Sequence, residues 1–292
     1  MSYIGRFAPS PTGPLHAGSL VAALASYLDA RAHQGQWLIR IEDIDETRTI
    51  AGAADDIIHT LAALGMQSDE TILWQSQRQS RYEAAFIELG NRVYPCACSR
   101  KEIADSRVSL SNDGAAIYPG TCRFGLPEGR SARAWRLRVP DAEDALDIIE
   151  FNDRWQGRVS ESLSVAVGDF VLRRADGFWA YQLAVVVDDA DQKITHVVRG
   201  EDLLESTARQ IYLQRLLHKK IPHYLHVPVL TNDRGEKLSK QTGAKALDIS
   251  QPVNTLLDAA KALELDIKTD AINSVQTFFD AAVPAWARRF GD

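Results

Sequence analysis

Apolar runs and helical stripes alternate along the first part of the chain. The run Tyr3 to Phe7 predicts a buried strand, and leucines at one-turn spacing over residues 20–28 predict a helix directly behind it. Trp37 to Ile41 predicts the next strand, and helical periodicity returns over residues 50–64 and 77–89. Strands that alternate with helices in this way are typical of an α/β fold with a parallel sheet.

The second part continues the pattern after a polar stretch. Strands are predicted over residues 134–139, 169–173, 194–199 and 227–230, and helices over residues 207–217, 253–263 and 271–282. We expect about two domains from a chain of 292 residues.

The loop after the first strand carries candidate chemistry. Three prolines and a glycine within residues 8–15 exclude regular structure, so His16 and Gly18 fall at the start of the following helix. Helix N-termini favour anions, because their first backbone N–H groups have no internal partner. Gly18 would let a charged ligand approach the backbone, and His16 would add a donor for a phosphate. A strand–loop–helix turn whose small residues serve only packing fits the same pattern.

A second loop is rich in cationic side chains. Lys237, Ser239 and Lys240 follow the strand predicted over residues 227–230. Two lysines and a serine on a loop can grip a polyphosphate, although an isolated pair of lysines is more typical of a solvated surface.

Charged side chains also mark three predicted strand ends. Arg6, Glu42 and Arg199 each lie at or next to the carboxyl end of a strand, where parallel sheets collect their ligand-binding groups. Two guanidinium groups and one carboxylate would complement a ligand that has two carboxylates and one ammonium. The alternatives are that Glu42 caps the next helix and that Arg199 pairs with Glu201 or Glu205.

The three cysteines, Cys96, Cys98 and Cys122, fall within 27 positions. An odd number argues against a disulfide framework. A structural zinc site needs four ligands and favours thiolates, and Tyr118 is the nearest oxygen ligand of suitable spacing. The other interpretation is that these cysteines are small buried apolar residues.

Composition adds limits rather than a site. Hydrophobic residues make up 45% and charged residues 25%, which is an ordinary globular balance. We expect a cytoplasmic protein with no membrane partner, because the sequence has neither a secretory signal nor an apolar run of the ~20 residues that span a bilayer. A net charge of −6 argues against extended, non-specific nucleic-acid contacts but still allows a local basic patch that binds a nucleic acid.

Together, residues 7–18 and 237–240 resemble the two signatures of the class I aminoacyl-tRNA synthetases. The surrounding residues resemble the glutamyl branch of that family, and the resemblance spans roughly residues 3–245. It implies a Rossmann-like catalytic domain with an inserted zinc-knuckle, acceptor-type subdomain and a short C-terminal helical segment. The implied boundaries are 1–95 and 186–245 for the two halves of the catalytic domain, 96–185 for the insertion and 246–292 for the helical segment.

The resemblance also implies roles for individual residues. Amino-acid binding would fall to Arg6, Phe7, Ala8, Pro9, Ser10, Glu42, Tyr181 and Arg199. ATP, accompanied by Mg²⁺, would be bound by His16, Gly18, Lys237, Ser239 and Lys240, with His16 and Lys240 in catalysis. One structural Zn²⁺ would be held by Cys96, Cys98, Tyr118 and Cys122. Ser19 departs from the first signature, which ends in histidine, and Leu238 and Gln241 depart from the second.

Only 52 residues follow Lys240, whereas a domain usually needs ~100. We therefore expect no anticodon-binding domain. In this respect the chain resembles the truncated members of the glutamyl branch. Those members activate L-glutamate with ATP and attach it to queuosine in the anticodon of tRNA(Asp), and we expect a monomer with these partners. A conventional synthetase that charges a tRNA 3′ end and a non-catalytic binding paralogue are the alternatives.

Overall fold

Strands and helices alternate along nearly the whole chain. The structure, a computed structural model, describes residues 2–105, 117–230 and 247–291. In chain order the elements are β1 (Ile4–Phe7), α1 (Ala17–Ala32), β2 (Gln36–Ile41), α2 (Ala53–Ala63), β3 (Leu73–Trp74), α3 (Gln79–Glu88), β4 (Val93–Cys96), α4 (Arg100–Asp105), β5 (Ala134–Leu137), β6 (Ile148–Asp153), β7 (Gly157–Ser162), α5 (Leu163–Ala166), β8 (Phe170–Arg173), α6 (Tyr181–Asp191), β9 (His196–Gly200), α7 (Ser206–Leu216), β10 (His223–Val227), α8 (Pro252–Ala262) and α9 (Val275–Phe290). Within these ranges no helix is both long enough and apolar enough to cross a bilayer.

The central sheet brings together strands from both halves of the chain. Strands β1, β2 and β3 are parallel neighbours, and β9, β10 and β6 form a second parallel set that β7 extends in antiparallel fashion. The two sets meet at Thr195, whose backbone N–H donates to the Ile4 carbonyl over 2.9 Å. The predicted α/β fold is confirmed, and the carboxyl ends of β1, β9 and β10 lie at one edge.

Three strands form a smaller antiparallel sheet in the order β4-β5-β8. Strands β5 and β8 fall within the predicted insertion, and β4 ends where the insertion begins. The predicted domain boundaries stay a prediction. The hairpin of β6 and β7 falls within residues 96–185, yet β6 pairs with β10 of the central sheet through Asp153 and Tyr224.

Two predicted elements differ from the structure. The strand predicted over residues 227–230 lies earlier, as β10, and ends at Val227 because Pro228 has no N–H with which to continue the ladder. The last helix does not stop at residue 282 but continues to Phe290 through Pro284. The burial of Trp286 in the main core outweighs the hydrogen bond that the proline removes.

A buried carboxylate joins this last helix to the sheet. Asp29 of α1 is fully buried and accepts hydrogen bonds from the Tyr3 hydroxyl at 2.6 Å and from Trp286 Nε1 at 2.8 Å. Arg154, in the turn between β6 and β7, binds both of its oxygens at 2.7 and 2.9 Å. Burial alone would raise the pKa of Asp29, but the bonds from Arg154 and the other donors lower it overall.

We expect Asp29→Ala to lower the free energy of unfolding by about 3 kcal/mol, because a buried ion pair loses one partner and two buried donors lose their acceptor. The loss should be complete above pH about 4 and shrink as the pH falls through the lowered pKa of Asp29. Urea denaturation at several pH values measures it. Asp258→Ala, on the exposed face of α8, is the control and should change stability by less than about 0.5 kcal/mol.

Candidate active site and metal centre

A cleft of about 710 Å³ lies where β1, β9 and β10 end beside the N-terminus of α1. All of the described residues predicted to bind the amino acid or ATP, except Glu42, line it: Arg6, Phe7, Ala8, Pro9, Ser10, His16, Gly18, Tyr181 and Arg199. Glu42 lies in a small adjoining pocket that shares Ser10 and Tyr181 with the cleft. Lys237, Ser239 and Lys240 lie outside the described residues.

One end of the cleft is the beginning of α1. His16 is the N-cap of this helix, and its Nδ1 accepts the backbone N–H of Ser19 at 3.2 Å. The Ser19 hydroxyl lies 3.1 Å from Nε2 of His16. Ser19, which replaces the last histidine of the family signature, is therefore hydrogen-bonded to the first one, His16. Gly18 lies in the first turn, where the helix dipole and the backbone N–H groups favour an anion.

The opposite end contains a network of buried charges around Arg40. Its guanidinium is fully buried and lies 2.7 Å from an oxygen of Asp189 and 3.2 Å from an oxygen of Glu42. Asp189, on α6, also accepts from Arg6 at 3.2 and 3.5 Å. Arg6 and Glu42, both predicted from the sequence, are therefore connected through Arg40 and Asp189, which were not among the predicted site residues.

Glu42 is the member of this network whose charge is least well compensated. Burial raises the pKa of Glu42 more than the neighbouring charges of Arg40 and Arg6 lower it. Asp189 behaves oppositely, because its two arginines outweigh burial and lower the pKa of its carboxyl. Arg40 lies closer to Asp189, at 2.7 Å, than to Glu42, at 3.2 Å.

Arg199 is buried and held by neutral acceptors. Its Nε donates to His226 at 2.9 Å, and its terminal nitrogens donate to Gln210 and Thr207, each at 2.8 Å. Glu201, one alternative partner named from the sequence, instead accepts from the backbone N–H of Val229 at 3.1 Å. The positive charge of Arg199 is therefore not neutralised by these three hydrogen bonds.

The sulfur atoms of Cys96, Cys98 and Cys122 all lie within 4.8 Å of one another. The Tyr118 hydroxyl lies 3.4 Å from Cys96 Sγ and 3.6 Å from Cys98 Sγ, and Cys98 Sγ is 3.7 Å from Cys122 Sγ. A tetrahedral zinc ion would set neighbouring sulfurs about 3.8 Å apart and sulfur–oxygen pairs about 3.5 Å apart. These three separations are close to those values, so the three thiols could hold a metal ion.

Arg136, on β5, supports this cluster. Its guanidinium lies over the Tyr118 ring, 3.9 Å from the centroid, and donates to the Asp169 carbonyl at 2.8 Å. A cation at this place offsets the negative charge that thiolates and a phenolate would gather. The sequence gave no signal for it, because an arginine in a short strand is usually a surface residue.

Comparison with known proteins agrees with this geometry. Residues 4–257 match the model of the family described as tRNA synthetases class I (E and Q), catalytic domain. The chain belongs to this family. It is 65% identical over 288 residues to a glutamyl-Q tRNA(Asp) synthetase of Janthinobacterium sp. (strain Marseille), with 99% of this chain and 98% of the relative covered.

Solved structures place the fold in the same family. A glutamate–tRNA synthetase from Elizabethkingia anophelis is 26% identical with a TM-score of 0.79, covering 96% of this chain and 66% of that one. A glutamate tRNA ligase from Elizabethkingia meningosepticum, crystallised with its amino acid, is 31% identical with a TM-score of 0.69 and covers 83% of this chain. The chain spans about two thirds of the first structure and 53% of the second.

We expect Glu42→Gln to be at least as stable as the wild type at pH 7, because it removes a buried charge whose burial outweighs its attraction to Arg40 and Arg6. A raised pKa means that the folded state holds the proton longer, so the stability of the wild type relative to this variant should fall as the pH rises above about 4.3. Urea denaturation of both proteins between pH 4 and 8 measures this. If the wild type became more stable relative to the variant as the pH rises, the raised pKa of Glu42 would be contradicted.

Proposed function

We propose that this protein activates L-glutamate with ATP and transfers the glutamyl group to queuosine in the anticodon of tRNA(Asp). The observation that carries the proposal is the set of buried charges in the cleft. A relative 65% identical over nearly its whole length is named for this tRNA modification, which favours queuosine over a tRNA 3′ end as the acceptor.

The charges in the cleft complement glutamate. Arg6 and Arg199 are buried cations that line the cleft, and Glu42 is a buried anion in the adjoining pocket. Glutamate has two carboxylates and one ammonium, which is the opposite set of charges. In this proposal the guanidinium groups of Arg6 and Arg199 receive the two carboxylates, and Glu42 receives the ammonium, which offsets the burial that raises its pKa.

The first step would occur between Arg199 and the beginning of α1. An oxygen of the glutamate α-carboxylate attacks the α-phosphorus of ATP, and the bond to the bridging oxygen of the β-phosphate breaks, which releases pyrophosphate. Charge on the phosphates is stabilised by His16 and by the N–H groups around Gly18, together with Lys237, Ser239 and Lys240 as predicted from the sequence. We expect Mg²⁺ to accompany the nucleotide.

In the second step a hydroxyl of queuosine attacks the carbonyl carbon of the glutamyl-adenylate. The new ester bond forms as the bond to the phosphate oxygen breaks, and AMP leaves. Arg48 and Asp202 also line the cleft in which this step would occur.

We further propose that Cys96, Cys98, Tyr118 and Cys122 hold one structural zinc ion. The donor distances support this assignment, and three thiolates are the ligands that zinc favours. When bound, the ion would join the end of β4 to the loop that carries Tyr118, which is a part of the fold with few other buried apolar residues.

The activity can be tested with ATP, labelled glutamate and three tRNA preparations. We expect label on tRNA(Asp) that carries queuosine, and none on tRNA(Asp) that lacks it or on tRNA(Glu). Glu42→Gln should lower kcat/KM for glutamate roughly 100-fold, since the ammonium loses a buried ionic partner. Glu150→Gln, an exposed site on β6, is the matched control. Equal labelling with and without queuosine would indicate 3′-end charging instead.

The metal can be tested through the thiols. One zinc per chain should be measured by mass spectrometry, and all three thiols should react with a thiol reagent only after chelation, because the chain contains three cysteines and all of them lie in the cluster. Tyr118→Phe should weaken zinc binding at least tenfold, since it removes a ligand. Tyr94→Phe removes a nearby buried hydroxyl that binds Asp169 instead, and it should leave zinc affinity unchanged. Full thiol reactivity before chelation would contradict the site.

A further inference from the structure

The guanidinium of Arg199 is held in a single orientation. Besides the Nε bond to His226 and the bonds to Gln210 and Thr207, it donates to the carbonyl of Leu203 at 3.3 Å. Arg199 also lines the cleft. An arginine held by four acceptors in this way is already ordered before a ligand arrives, so little freedom is lost on binding.

The bond to His226 fixes where the histidine proton lies. An arginine Nε–H can only donate, so His226 Nε2 must be the acceptor and the proton must be on Nδ1. Nδ1 lies 2.6 Å from an oxygen of Asp153, which accepts that proton. His226 and Asp153 are both buried, and burial lowers the pKa of His226 to about 4, so the ring is neutral at pH 7.

Asp153 is oriented by the backbone. Its Oδ1 accepts the N–H groups of Trp155 at 2.9 Å, Gln156 at 2.8 Å and His226 at 3.2 Å. Oδ2 is therefore the oxygen that faces the imidazole. The three residues form one chain of hydrogen bonds that runs from the end of β6, across β10, to the end of β9.

We infer that Asp153 and His226 are positioning residues for glutamate recognition, which hold the Nε edge of Arg199 through a histidine in its Nδ1–H form. This inference rests on the proposed role of Arg199 in binding glutamate. Gln210 and Thr207 accept from the terminal nitrogens of the guanidinium. Unlike His226, neither has a ring proton whose position decides whether it donates or accepts. Asp153 reaches Arg199 through His226, and in this inference both residues affect glutamate binding through Arg199.

The substitution Asp153→Asn tests the polarity of this chain with little change of shape. The three backbone donors require an oxygen at the Oδ1 position, so the amide NH₂ must take the place of Oδ2 and donate to His226. The histidine then carries its proton on Nε2, directly opposite the Nε–H of Arg199. Two donors at 2.9 Å repel each other, and the guanidinium must move.

We expect Asp153→Asn to raise KM for glutamate at least tenfold, with KM for ATP changed less than twofold, in glutamate-dependent ATP–pyrophosphate exchange with queuosine-bearing tRNA(Asp) present. Asp147→Asn is the control, because Asp147 is also buried and also accepts a backbone N–H, that of Ser164, but binds the Ser162 hydroxyl instead of a histidine. It should leave both constants unchanged. An unchanged KM for glutamate in Asp153→Asn, or an equal rise of both constants, would overturn the inference.

Nitrogen NMR of His226 gives a readout that does not depend on activity. The wild type should show the Nδ1–H form at pH 7, and an Nε2–H ring would overturn the inference. If the wild type shows this form but no glutamate-dependent exchange, the proposed function fails while the positioning geometry stands.

A second pair of variants serves if Asp153→Asn does not fold. His226→Gln keeps an oxygen that can accept from Arg199, whereas His226→Met, of similar length, does not. KM for glutamate should be at least tenfold higher in the methionine variant. Equal values would overturn the inference.

Discussion

The cleft depends on the contact between Arg40 and Asp189. A guanidinium without solvent contact is tolerated only when carboxylates neutralise it, and Asp189 does so at 2.7 Å. The same carboxylate holds Arg6, and Arg40 also reaches Glu42. One contact between β2 and α6 therefore connects Arg6 with Glu42, whereas Arg199 is held separately through His226.

This arrangement explains how several charged side chains are held at the cleft although they are buried. The two buried arginines that line the cleft are each bound on one side by the protein, Arg6 by Asp189 and Arg199 by His226 and its neighbours. The remaining attraction is available to an anion. Glu42 is the exception, because its burial is only partly offset, and this incomplete pairing is what a ligand ammonium can complete. Stability and binding thus make opposite demands on this residue.

The sequence predicted the groups that contact the cleft better than the groups that hold them. Arg6, Glu42 and Arg199 stand at strand ends, where position alone suggests a ligand. Arg40 and Asp189 are 149 residues apart, and no local pattern pairs them. The same holds for Asp153 and His226, 73 residues apart. The cysteine cluster was easier to predict, because thiols are rare and their spacing is informative, whereas Arg136 beneath Tyr118 had no such signal. The sequence predicted that the last helix ends at residue 282, before Pro284. The helix continues to Phe290 because the burial of Trp286 outweighs the hydrogen bond that Pro284 removes.

The meeting of β1 with β9 has a consequence for the newly made chain. Ile4 and Thr195 are separated by 191 residues, so at usual rates of synthesis roughly 10 to 40 s pass between the two strands leaving the ribosome. During that interval β1 is an unpaired edge of an apolar sheet, the kind of surface that pairs with other chains. Arg6 and Asp189 are 183 residues apart, so Arg6 is synthesised a similar time before its ion-pair partner. The cleft that Arg6 and Arg199 line can therefore be completed only after about two thirds of the chain has been synthesised.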